Sequence, residues 1–202
     1  MFNKHCIYKV DPSATNIVLN DNIYTIGSRS FMNSKITEIT LNKVKCIGEY
    51  AFVYSDLQKI DFISDDLEYI GNNILYQTKV IESTFNCKNG ASITSPYKFC
   101  TALKKVTISS DINISQRGFE NCTELEELII TGDYKLGVAW NMFGDTPKLK
   151  NITYNVPVAT AIKNFPMNNY KGNGQWGANS SIETITCLDG IIDYVNQKIN
   201  YN

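Results

Sequence analysis

The chain has one histidine, His5, and its six cysteines (Cys6, Cys46, Cys87, Cys100, Cys122 and Cys187) contain no C-x-x-C pair. That excludes the usual spacings of zinc ligands. It also leaves no Ser-His-Asp or Cys-His arrangement for nucleophilic catalysis. Neither a phosphate-binding G-x-x-x-x-G-K-[ST] loop nor a dinucleotide fingerprint is present. Long apolar runs are missing too, none approaching the roughly 20 residues that span a bilayer. The start, "MFNKHCIYKVDPSATN", lacks the basic and apolar regions of a secretory signal. The expectation is a complete chain, cytoplasmic at synthesis, rather than a trimmed ectodomain. Nor is there an excess of charge: 19 basic residues against 20 acidic ones give a net −1. No global field draws such a chain to nucleic acid or to an anionic membrane surface.

What is there is enough to fold. The 202 residues fall within the range of one domain, and 43% apolar residues with 11% aromatics supply a core. They are also periodic. Taking Phe52 as an anchor, equivalent positions are Phe31, Phe52, Leu75, Tyr97, Phe119 and Phe143, spaced 21 to 24 residues apart. Ahead of the anchor stands an Ile-Gly-like pair: Ile26-Gly27, Ile47-Gly48, Ile70-Gly71, then Ile93-Thr94, Ile114-Ser115 and Leu136-Gly137. Behind it comes a triplet spaced i, i+3, i+5: Ile36-Ile39-Leu41, Leu57-Ile60-Phe62, Val80-Ser83-Phe85, Leu103-Val106-Ile108, Leu125-Leu128-Ile130 and Leu149-Ile152-Tyr154. A detached seventh copy is Ile182-Ile185-Cys187.

The last two members of each triplet alternate with polar residues, which is the period of a strand with one buried face. The stretch before the anchor, as in "IGEYAF", is too short for a full helix and suits one helical or 3-10 turn. A unit of about 22 residues cannot bury its apolar face alone, so units must stack and align equivalent residues. One further row supports this register: Glu38, Lys59, Glu82, Lys105 and Glu127 alternate in sign along five successive strands, either as a register device or by coincidence.

These residues resemble the BspA-type leucine-rich repeat family, whose pattern runs roughly I-G-x-x-A-F-x-x-C-x-x-L-x-x-I-x-I. "IGEYAF", "YKFCTALKKVTI" and "FENCTELEELII" carry the likeness, which covers about residues 24 to 154. It implies an α/β right-handed solenoid: a parallel sheet of about seven short strands with short helical or 3-10 turns on the convex side. It also implies a non-enzymatic protein-interaction or adhesion role. The expected layout is a single domain over 1–202: an N-terminal cap to residue 23, six repeats over 24–154, an insertion loop over 155–181, and a last strand with a hairpin cap over 182–202. In "ETITCLDGIIDYV", Asp189-Gly190 suits a type I′ turn that closes the sheet antiparallel.

Two candidate surfaces remain. The outward strand positions Thr40, Asp61, Thr84, Thr107, Ile129, Thr153 and Thr186 form a row on the concave sheet. It reads either as a binding face or as threonines chosen for strand propensity. The stretch "NNYKGNGQWGANSS" (168–181) carries Tyr170 and Trp176, residue types that anchor interfaces; they serve there or cover the end of the core. Its glycines precede no convincing helix, as a phosphate cradle would require. Asp56, Asp61, Asp65, Asp66 and Glu68 read as a solvated acidic edge rather than a Ca²⁺ loop. Cys100 and Cys122 share a repeat position, so they are neighbours, as buried thiols or as a disulfide. No cofactor or metal is expected. The partner is another protein or a glycan. An alternative role is structural, as one subunit of a multi-subunit particle such as a bacteriophage decoration, head-fibre or tail component.

Overall fold

The computed structural model describes residues 5–64, 66–87, 92–109, 112–131, 140–171 and 175–202. It is a β-solenoid with little helix. The central coils, from Cys46 to Ile130, each contribute a short strand, a turn carrying the anchor, and a second strand. The short strands are β1 (Cys6–Ile7), β2 (Thr25–Ile26), β3 (Cys46–Ile47), β5 (Tyr69–Ile70), β7 (Ser92–Thr94) and β9 (Asn113–Ser115). The second strands are β4 (Lys59–Ser64), β6 (Glu82–Cys87), β8 (Lys105–Ile108), β10 (Glu127–Ile130), β11 (Asn151–Tyr154) and β12 (Thr184–Thr186). A C-terminal pair, β13 (Gly190–Asp193) and β14 (Lys198–Tyr201), completes the chain.

The short strands pair in parallel in the order β1-β2-β3-β5, with β7-β9 as a separate pair. Their isoleucines are in register: Ile7, Ile26, Ile47 and Ile70, and again Ile93 with Ile114. The expected helical turn is therefore a strand followed by a different kind of turn. The expected Leu136-Gly137 pair lies outside the described residues. The large sheet runs β14-β13-β12-β11-β10-β8-β6-β4, parallel from β4 to β12 and antiparallel through β13 and β14. The first repeat supplies only an isolated bridge, Glu38 with Lys59, where a full strand is expected from its triplet.

Each anchor sits between two residues of positive φ, one two positions before it and one two positions after. They are Arg29 and Asn33, Tyr50 and Tyr54, Asn73 and Gln77, Ser95 and Phe99, Arg117 and Asn121, Asn141 and Asp145, all between 52° and 62°. A left-handed non-glycine residue costs about 1–2 kcal/mol. The cost is offset by neighbours, because this backbone aims every second amide at the next coil. Phe31 N donates to Ala51 O (2.9 Å), Phe52 N to Ile74 O (3.0 Å), Leu75 N to Pro96 O (3.1 Å), Tyr97 N to Gly118 O (3.1 Å) and Phe119 N to Met142 O (2.9 Å). A helix would turn these amides back on its own chain.

The close stacking also explains the Ile-Gly pair. A Cβ on Gly48 would lie 2.4 Å from Ser28 N, and one on Gly71 would lie 2.4 Å from Glu49 N. Where the pair ends in Thr94 and Ser115, the two hydroxyls bond each other instead (3.0 Å). Inside the coils the anchors stack: Phe31 on Phe52 (5.1 Å), Tyr97 on Phe119 (5.4 Å) and Phe119 on Phe143 (5.4 Å). A second aromatic contact, Phe62 on Phe85 (4.4 Å), lies in the strand layer. Ser83 takes an apolar position of its triplet and satisfies its hydroxyl on Ile60 O (2.9 Å).

At the C-terminal end the expected antiparallel closure is present, but the turn differs. Cys187 N donates to Gly190 O (2.8 Å) across Leu188-Asp189. Neither of those two residues has positive φ, so the turn is not type I′. Asp189 is engaged elsewhere, its Oδ1 accepting from Val158 N (2.7 Å) at the start of helix α1 (Val158–Asn164).

Two stability measurements check this account. Phe119, 1% exposed, has rings on both sides, and Phe119→Ala should remove about 3–5 kcal/mol of unfolding free energy; an unchanged denaturation midpoint would contradict the stack. Gln77 is exposed at φ 53°. Gln77→Gly should be neutral within about 0.5 kcal/mol, whereas the β-branched Gln77→Val should cost about 1–2 kcal/mol.

Candidate functional site

The outward row is brought together in the predicted register. Asp61 pairs with Thr84, Thr84 with Thr107, Thr107 with Ile129, Ile129 with Thr153, and Thr153 with Thr186. Thr40 lies beyond the Glu38–Lys59 bridge, exposed at the N-terminal end of the row. The Asp61 carboxylate turns onto its neighbour strand and accepts from Thr84 N (3.1 Å).

Three adjoining grooves lie on this face. The first, about 430 Å³, lies between Lys59, Asp61, Glu82, Thr84, Lys105 and Thr107. The second, about 360 Å³, shares Lys59 and Asp61 with it and is closed by Glu38, Thr40 and Ile63. The third, about 260 Å³, shares Glu38 and Thr40 with the second and reaches Asn16 and Val18. The trough thus covers the N-terminal half of the row. Its extension to Asn16 was readable in principle, since "NIVL" (16–19) stands one period ahead of "EITL" (38–41).

The alternating charges stand side by side as expected, Lys59 beside Glu82, Glu82 beside Lys105 and Lys105 beside Glu127. The Lys105–Glu127 rung closes to 2.9 Å, and that hydrogen bond holds the Lys105 ammonium above its ordinary range. The acidic stretch is not one edge. Asp56 bonds Lys79 (2.7 Å) and Lys35 (3.3 Å), Asp66 bonds Lys43 (3.3 Å), and Glu68 bonds Lys45 (3.4 Å). The Lys79 hydrogen bond holds Asp56 below the usual carboxylate range. Asp65 lies outside the described residues. Among the described residues no three His, Cys, Asp or Glu side chains converge as metal ligands do.

Cys100 and Cys122 are free, buried thiols. Each bonds the anchor carbonyl of the preceding coil, Cys100 Sγ to Leu75 O (2.9 Å) and Cys122 Sγ to Tyr97 O (3.1 Å). Burial pushes the Cys100 thiol up to about 11 and holds that of Cys122 well above its ordinary range, which removes the thiolate that chemistry would need.

Tyr170 and Trp176 are not surface anchors. They are 4% and 1% exposed, and they plug the end of the core. Trp176 meets Phe143 (6.2 Å), Phe165 (5.1 Å), Tyr170 (4.9 Å) and Tyr194 (5.2 Å), and its Nε1 donates to Pro166 O (3.2 Å). The last anchor would otherwise face water, and these rings cover it. The segment read as a loop is in part a further turn of the solenoid: Asn141 N donates to Gln175 O (3.2 Å) and Asp145 N to Asn179 O (3.0 Å). The glycines at 172 and 174, considered above as a phosphate cradle, lie outside the described residues. No helix among the described residues is long and apolar enough to cross a membrane.

Trp176→Ala should therefore act on stability, lowering it by about 3–5 kcal/mol in chemical denaturation; full stability with lost binding would restore the surface reading. Among families of known proteins, the model of the BspA type leucine rich repeat region matches in six copies, over residues 2–126 and 91–173. No curated protein and no solved structure matches the chain. With an Ile-Gly strand, an anchored turn and an outward-facing second strand repeating through the fold, the chain belongs to the BspA type leucine-rich repeat family.

Proposed function

We propose that this protein is a non-enzymatic binding scaffold that engages another protein through the outward face of its large sheet, over the trough from Asn16 to Thr107. Membership of a leucine-rich repeat family suggests a protein-interaction module. The observation that carries the reading to a particular face is the set of three adjoining grooves, all on one side of the sheet and all lined by members of the predicted row. Their sizes, about 260 to 430 Å³, extend into the range of sites that seat side chains or small ligands. The walls are charged in alternation, so a partner is selected by its charge pattern as well as its shape. The scaffold beneath is held coil to coil, and such a surface binds without first paying to order itself.

A photo-cross-linking residue placed at Thr107 should capture a defined protein from the native source, and one placed at Val195 on the C-terminal cap should not. A captured cell-surface protein makes the use adhesive; a particle of fixed stoichiometry makes it structural. Thr84→Arg with Thr107→Arg should weaken binding by about ten-fold or more while changing stability by no more than about 1 kcal/mol. Equal capture from Val195, or wild-type affinity in the double variant, would contradict the assignment. Capture of a glycan alone would replace the protein partner.

A further inference from the structure

The N-terminal end of the large sheet is a fork. Gln58 N and Lys59 N both donate to Thr37 O (2.8 and 3.1 Å), and Glu38 forms its bridge with Lys59. Beyond that rung, among the described residues, no strand pairing continues from residues 40–41 to β4. Ile39 and Leu41 nonetheless keep their side chains in the core. The same holds one period earlier, where Asn42 Nδ2 donates to Leu19 O (2.7 Å) and, among the described residues, no strand pairing joins 16–19 to 38–42.

In a parallel pair, alternate residues of a strand present both N–H and C=O to the same neighbour. Lys59 turns its N–H toward Thr37, so the N–H and C=O of Asp61 and the N–H of Ile63 face the fork. The groove of about 360 Å³ opens over these groups, between Thr40 on one side and Asp61 and Ile63 on the other. Two carboxylates, Glu38 and Asp61, stand there against one ammonium, Lys59, and Lys59 is shared in register with Glu82 on the next strand. At the rims, Ile63 is 58% exposed and Val18 is 87% exposed. The opposite end of the sheet is built differently, closed by the antiparallel strands β13 and β14.

We propose that the fork is the docking slot for an extended segment of the protein partner, which pairs main chain to main chain with Asp61 and Ile63 and brings a basic side chain to Glu38 and Asp61. Strand addition fits because the facing groups alternate as donor and acceptor at strand spacing, which an extended peptide satisfies in full. The basic side chain follows from the local excess of carboxylate. Apolar residues flanking it cover Ile63 and Val18. This inference rests on the reading of the outward face as the binding surface, and it narrows that surface to one slot and one class of ligand.

The probes are blocked hexapeptides titrated into the full chain and followed by amide chemical shifts: Thr-Val-Lys-Val-Thr-Val, the same peptide with Glu for Lys, and two versions N-methylated at alternate amides. The Lys peptide should shift the amides of Asp61 and Ile63. The Glu peptide should bind about ten-fold more weakly. One N-methylated version should fail to bind while the other keeps its affinity, because only one set of amides faces β4. Asp61→Asn, which keeps the acceptor for Thr84 N, should erase much of the preference for Lys over Glu. Equal binding of both N-methylated versions, shifts confined to residues outside 38–42 and 59–63, or no binding at millimolar peptide would overturn the slot. Capture at Thr107 that survives Asp61→Asn undiminished would overturn the slot alone. Loss of all capture at Thr107 would remove the reading of the face with it.

Discussion

Each coil of this solenoid is held by amides that the preceding coil turns outward, and the left-handed residues on either side of every anchor are what turn them. Without those two conformations the anchor amides would bond within their own turn, and the coils would be joined only through their strands. With them, the anchor N–H reaches the next coil at 2.9 to 3.1 Å from Phe31 through Phe119. The glycines of the short strands let the backbones close to that distance, and the rings fill the space enclosed. Hydrogen bonds of this kind contribute about 0.5–1.5 kcal/mol each, comparable to the strain they offset. Net stability therefore comes from the apolar ladder they bring into register.

A stack built of repeated joints has a problem at each end, because the terminal coils have no neighbour. The C-terminal end solves it with aromatic rings from three separate segments, Tyr170 and Trp176, Phe165, and Tyr194. The Tyr194 hydroxyl is tied to Phe165 O at 2.6 Å. The sheet edge there is closed by a change of strand direction. At the N-terminal end the core is kept, with Leu19, Ile39 and Leu41 buried, but the sheet opens. The trough on the outward face follows from that asymmetry, since the grooves gather where the strands part.

The repeat was legible because its anchors and triplets are core positions, and burial leaves a mark on composition. The register was legible too: the Glu-Lys alternation and the outward row pair as the period requires. The turn was not, because a left-handed backbone leaves little trace when Arg29, Tyr50, Gln77 and Phe99 adopt it alongside Asn33 and Asn73. The signal was a recurrence of asparagine near the anchors, too weak against the residue types around it. Trp176 was left open between an interface anchor and a cover for the core, for another reason. Its partners Phe165 and Tyr194 belong to none of the repeat's anchors or triplets, so nothing local distinguishes a plug from an exposed anchor. Ser83 breaks its triplet by sequence and keeps it in space, its hydroxyl satisfied on Ile60 O.

Native-state hydrogen exchange tests the central claim most directly. If coil-to-coil bonding by the anchor amides holds the solenoid, Phe52, Leu75, Tyr97 and Phe119 N–H should exchange together, at the free energy of global unfolding. If these amides exchange orders of magnitude faster than those of β8 and β10, the turns are separate from the stack and the account fails.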